Sequence, residues 1–141
     1  PTSMEAFSAA TAITDRASDH LALAWTGAYG WKPRPASAWH HSIKALEASL
    51  GKVVCPDNPT ATLSQIIDEL KTGQWRLQVR GQARDYMIDP LVQMLGLIWP
   101  DPNRDGPSTP EPPATKEEAS AVVQLAVAIV QWGRDGHIVR W

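Results

Sequence analysis

The sequence predicts an all-α fold: a single helical bundle of about five helices, with a long proline-rich loop before the last one. Three observations carry this expectation. Apolar residues recur at steps of three and four in five separate segments, capping residues stand ahead of several of them, and Gly or Pro marks their ends. The chain has 141 residues, 43% of them hydrophobic, which suffices for one core of ordinary size, so one domain over residues 1–141 is expected. No run approaches the roughly 18 apolar residues of a membrane span. The opening Pro1-Thr2-Ser3-Met4 has neither a basic start nor an apolar secretory run, so a cytoplasmic domain is expected, or the C-terminal part of a longer protein.

The first segment opens on a Thr2–Glu5 capping box, and Phe7, Ala10, Thr14, Ala17, Leu21, Ala24 and Ala28 then form one stripe. A single helix over Ala6–Ala28 is predicted, ending where Gly30 takes a left-handed cap ahead of Pro33 and Pro35. A second helix, Ser37–Leu50, carries Trp39, Ile43, Leu46 and Leu50 on one face. A third, Leu63–Lys71, starts at the capping box Thr62–Gln65 and stops at Gly73. In residues 74–84, Trp75, Leu77 and Val79 alternate with polar residues as in a strand; with no partner in view, the segment reads as an extended loop that drops Trp75 and Leu77 onto the bundle, with a short hairpin as the alternative. The fourth helix, Tyr86–Trp99, tolerates Pro90 in its first turn and stops at Pro100. Residues 100–114 form the proline-rich loop, and Thr115–Glu118 caps a fifth helix, Glu117–Trp132, apolar enough to sit centrally. Residues 133–141 read as a tail.

Thirteen basic residues stand against 15 acidic ones, net −2, with no block of either sign, which argues against a broad electrostatic grip on nucleic acid. Cys55 is the single cysteine and the four histidines are scattered, so neither an internal disulfide nor a zinc site of ordinary spacing is expected, and no cofactor is implied. The seven tryptophans read chiefly as large core pieces. A base-stacking role needs neighbouring cations, and Trp31-Lys32 and Trp75-Arg76 supply them in sequence.

Two constellations can carry chemistry. His40 and His41 lie with Lys44 and Glu47 on the second helix, and His40, Lys44 and Glu47 share a face; acid–base work is one reading, a solvated face with one histidine against Trp39 the other. In the proline-rich loop, Asn103, Arg104 and Asp105 precede Gly106. Arg104 there suits a carboxylate or phosphate, or else the string is a turn with Arg104 in solvent. Glycine-rich phosphate loops, nucleophile elbows and calcium spacings do not occur.

Several segments resemble a known group. The string DHLALAWTGAYG from Asp19 to Gly30, HSIKALEASL ending at Leu50, Ala61-Thr62-Leu63, IWPDPNRDG, and EEASAVVQLAVAIVQW ending at Trp132 resemble the helical C-terminal domains of abortive-infection-type bacterial proteins, which are similar to the wider HEPN group. The resemblance covers Asp19 to Trp132. It implies a helical bundle, frequently dimeric, of toxin–antitoxin and phage-defence systems, whose active members cleave RNA without a metal. Their motif is an Arg followed a few residues later by a His, supplied by both protomers to a shared cleft.

In relatives of that kind an Arg-His-Gly string commonly follows the penultimate helix, whereas this chain has Arg104-Asp105-Gly106. Asp105 stands where an imidazole would act. An ionised carboxylate cannot donate a proton and repels phosphate. The expectation is therefore an RNA-binding or dimerising module with a degenerate active site. The alternatives are a ribonuclease using Arg104 with His40 or His41, and a purely structural interaction domain. Asn103, Arg104 and Lys44 are the candidate substrate contacts. A homodimer is expected from the apolar last helix and the many tryptophans, with RNA and an antitoxin or neighbouring domain as further partners.

Overall fold

The chain is described by a computed structural model, over residues 3–11, 15–78, 85–103 and 113–140. Among these, six helices and three short strands succeed one another: α1 (Ser3–Thr11), α2 (Arg16–Tyr29), α3 (Pro35–Val54), α4 (Leu63–Thr72), β1 (Trp75–Gln78), β2 (Asp85–Met87), α5 (Asp89–Ile98), α6 (Lys116–Arg134) and β3 (Ile138–Arg140). The fold is a helical bundle carrying a small sheet, and no helix of the described residues is long and apolar enough to cross a membrane.

The single first helix expected from periodicity is two. Asp15 takes an extended backbone conformation and its carboxylate accepts from Ser18 N at 2.8 Å, so it starts α2 as an N-cap. Periodicity aligns Phe7, Ala10 and Ala17 in one stripe because α1 and α2 both lay apolar faces on the same core; Thr2 and Thr14 lie outside the described residues. The two helices are then tied to the far end of the chain. Arg134, in the last turn of α6, donates to both Asp15 oxygens at 3.0 and 3.2 Å, to Ser18 Oγ at 2.9 Å and to the Ala10 carbonyl. Burial pushes the Asp15 carboxyl up, but the Ser18 hydrogen bonds and the Arg134 charge outweigh it and hold it below the usual range.

Helices α2 and α3 pack along a seam of small residues, Ala24, Ala28 and Ala38, that is closed by Ala119 and Val123 of α6. At its tightest point a Cβ on Gly27 would stand 2.9 Å from Ala38 N, and Arg34 N donates to Gly27 O at 2.6 Å across the turn. Gly30 is extended, with φ −70°, where a left-handed cap was expected; glycine is needed there because a Cβ would collide with the Thr26 carbonyl. Helix α3 begins at Pro35 with no side-chain cap and runs through Gly51 to Val54. Capping boxes at Thr62–Gln65 and Thr115–Glu118 start α4 and α6.

Residues 75–78 are a strand, and the expected loop is corrected. The partner not visible locally comes from the chain's end: β1 lies between β2 and β3, antiparallel to both, with Leu77 opposite Ile138 and Trp75 opposite Arg140. The alternation then does ordinary strand work, burying Trp75 and Leu77 beside Ile138. Gly136, at φ +78°, makes the turn from α6 into β3, so much of the expected tail is ordered. Residues 85–87 belong to β2, so the fourth of the expected helices starts later, at Asp89 with Pro90 in its first turn.

One core cluster joins α1 through α6 and the sheet. Helix α6 is central: Val122, Ala126, Val127, Ile129 and Val130 are buried in this cluster and Val123 in the α2–α3 seam, so these side chains are not what a second copy would cover.

The seam makes a paired prediction. Gly27→Ala overpacks a contact with backbone and is expected to destabilise the protein by about 1–3 kcal/mol. Gly96→Ala, inside α5 with no described atom near its missing Cβ, is expected to stabilise by about 0.5–1 kcal/mol. Chemical denaturation of both variants checks this; equal effects would contradict the account of the seam.

Candidate functional site

Helix α3 presents Ala36, His40, Ile43, Lys44 and Glu47 along one side. The chain leaving α5 crosses in front of them, so that Trp99, Asp101 and Asn103, with Thr62, complete a pocket of about 510 Å³. That crossing is fixed by Trp39, whose buried Nε1 donates to the Ile98 carbonyl at 2.8 Å and locks the end of α5 onto α3. Past it, Asp101 Oδ1 accepts from Asn103 N at 2.8 Å and from Asn103 Nδ2 at 3.0 Å, an Asx turn that sets the Asn103 amide. Asn103 Oδ1 accepts from Ala114 N at 3.1 Å, which joins the two stems of the proline-rich segment.

His40, Lys44 and Asn103 therefore meet in one pocket. Arg104 and Asp105 lie outside the described residues. His41, one position on from His40, turns away to α2, where its Nδ1 stands 3.0 Å from His20 Nδ1 and the two rings stack with centroids 5.3 Å apart. One ring must donate N–H and the other accept, so the pair tolerates at most one Nδ1 proton. His40 lies edge-on to His41, centroids 5.1 Å apart.

The electrostatics of the pocket are mixed. Lys44 Nζ pairs with Glu47 Oε1 at 3.2 Å, while Glu47 Oε2 accepts from Leu63 N at 2.8 Å and so also serves the start of α4. One ammonium thus faces two carboxylates, Glu47 and Asp101. Among the described residues no group of three His, Cys, Asp or Glu side chains could hold a metal ion. Burial, together with the repulsion of Glu69, pushes the Cys55 thiol up, away from thiolate chemistry.

Sequence reasoning missed His20, Asp101 and Trp99. The string Asp101-Pro102-Asn103 carried a usable turn signal, whereas His20 meets His41 only through the packing of α2 on α3, which no local pattern reports. No protein family, curated protein or solved structure matches the chain.

The histidine pair sets a pH dependence. Burial, with the Arg16, His40 and Lys44 charges outweighing the opposing Asp19, lowers His20; burial, with His40 and His20, lowers His41. The unfolded chain then takes up protons at higher pH than the folded protein. The stabilisation is complete above about pH 6.5 and is lost as pH falls below that value towards the folded-state range. The melting temperature is expected to drop as pH falls below about 6.5, and His20→Gln should flatten that drop. An equally steep fall in the variant would remove the pair as its cause.

Proposed function

We propose that the chain is a HEPN-like helical module of the abortive-infection type, from a bacterial phage-defence or toxin–antitoxin system, and that it holds RNA without cutting it. The observation that carries the non-cleaving part is the pairing of Lys44 with Glu47 in a pocket that also admits Asp101. A site that cleaves a phosphodiester concentrates positive charge where the transition-state charge develops and places an acid–base group beside it. Here the described cation of the pocket is already paired with a carboxylate, and two of the three neighbouring imidazoles, His20 and His41, are engaged with each other. The RNA-holding part rests on the resemblance of the helical segments to that group, and in it Arg104 and Asn103 are binding contacts.

The rival reading, a metal-independent ribonuclease, narrows to Arg104 acting with His40, the histidine that lines the pocket beside Asn103. A positioned acid–base group is worth about 10²- to 10⁴-fold in rate, so the two readings separate clearly.

Incubation of the whole chain with a labelled single-stranded RNA is expected to leave the RNA intact, while fluorescence anisotropy registers salt-dependent binding. Arg104→Ala should weaken binding and reduce the salt slope by about 0.7, the share of one single-strand phosphate contact. Cleavage by the unaltered chain, abolished in His40→Ala, would overturn the proposal in favour of the ribonuclease. Absence of RNA binding at low salt would overturn it altogether.

A further inference from the structure

Trp31 is the most exposed large apolar side chain among the described residues, at 90% of its full accessibility. In the sequence it is one of seven tryptophans expected chiefly in the core. It lies in the short turn between α2 and α3, which Arg34 N closes onto Gly27 O. Exposing an indole gives up the burial of a large apolar surface, so its place on the surface calls for a reason.

The surroundings supply one. Trp31 borders a groove of about 370 Å³ that also takes in Leu23, Gly27, Gly30, Lys32 and Arg34. Among the described residues no carboxylate lines it, although the chain as a whole carries net charge −2. Lys32 Nζ stands 5.1 Å from the indole centroid, and the guanidinium-bearing Arg34 lies on the same rim. Gly27 and Gly30 also line it, and Ser37 adds a hydroxyl-bearing residue. The groove thus combines an indole that is 90% accessible, with Lys32 over one of its faces, and two cations with no carboxylate among its lining residues, in a space of about 370 Å³. The positive end of α3 lies on the same side and adds to the field, but the indole and the two cations carry the argument.

We propose that this groove binds one nucleotide unit, its base stacked on Trp31 and its phosphate held by Lys32 and Arg34. Stacking on tryptophan tolerates any base, because every base has a π-face, so the site reads the presence of an unpaired nucleotide and not its identity. An acidic peptide would suit the two cations but gives the exposed indole no base to stack on, and a duplex offers no unstacked base. The inference rests on the RNA-holding reading only for the source of the nucleotide; the groove is a different surface from the His40 pocket, with Ser37 on one and Ala36 on the other.

The test uses the whole chain with a fluorescein-labelled octamer of uridine at low salt, and unlabelled UMP as competitor. Trp31→Ala is expected to weaken octamer binding at least about five-fold, the loss expected for one stacked base, with Trp31→Phe retaining most of the affinity. The double variant Lys32→Gln/Arg34→Gln should reduce the salt slope by about 0.7, the share of the one phosphate the two cations hold. An unchanged melting temperature in these surface variants shows that the effect is local. Displacement by millimolar UMP that also depends on Trp31 makes a free nucleotide sufficient; binding of the octamer without displacement assigns the site to a strand. Octamer binding that is indifferent to Trp31, Lys32 and Arg34 overturns the groove while leaving the RNA-holding reading intact. Failure of the unaltered chain to bind either probe overturns both.

Discussion

The close approach of α2 to α3 at Gly27 and Ala38 is the constraint on which the rest of the molecule depends. Two helices separated by ordinary side chains keep their axes about 8–10 Å apart, and alanine and glycine at the crossing let backbones come nearer. Here the contact is so tight that Ala38 N lies where a Gly27 Cβ would need space. Towards the start of α2 the same pairing of helices lays His20 on His41. Past the other end of α2 the chain makes a short turn, closed by Arg34 N on Gly27 O, that carries Trp31 in solvent. The two ends of one helix pairing therefore carry a neutral-favouring histidine pair and a cationic aromatic groove, features that share no sequence motif.

The second organising contact closes the chain on itself. Arg134 comes from the end of α6 and is only 14% exposed, and its guanidinium satisfies the Asp15 cap, the Ser18 hydroxyl and the Ala10 carbonyl together. A half-buried ion pair stabilises only when its remaining hydrogen-bonding groups are also met, and this one meets them at the break between α1 and α2. The same anchor sets the path of the chain beyond α6. The turn at Gly136 can redirect the chain into β3 because α6 ends at that fixed position, and β3 in turn gives β1 its second neighbour.

These contacts also mark how much of the fold is legible in the sequence. Helix α3 is legible from its apolar stripe and from Pro35 at its start, and α4 and α6 from their capping boxes, each of which forms as its spacing demands. The division of α1 from α2 is hidden, because Asp15 can be recognised as a cap only once Arg134 and Ser18 are seen around it. The sheet is hidden for the same kind of reason: Trp75 and Leu77 alternate visibly, but their partner strand, with Ile138, lies at the other end of the chain. For the candidate site, the spacing of His40, Lys44 and Glu47 places them on one face, which is a property of any helix. That His41 belongs to a different surface comes from the same helical geometry, yet its partner His20 cannot be named without the α2–α3 crossing.

The pocket and the groove differ in how they can treat an anion, and the difference lies in the carboxylates. In the pocket, Glu47 is held in place by Leu63 N as well as by Lys44, so it cannot swing away to free the ammonium without giving up its bond to the start of α4. Asp101 is likewise occupied in forming the turn at Asn103. Both negative groups are structural, and the electrostatic cost they impose on a phosphate is therefore permanent. In the groove, Lys32 and Arg34 have no carboxylate among the described lining residues and stand at the solvent edge, where a chain of net negative charge still offers a local positive field. On the RNA-holding reading, the groove would therefore take up a phosphate more readily than the pocket, where the Asn103 amide is the contact that carries no opposing charge.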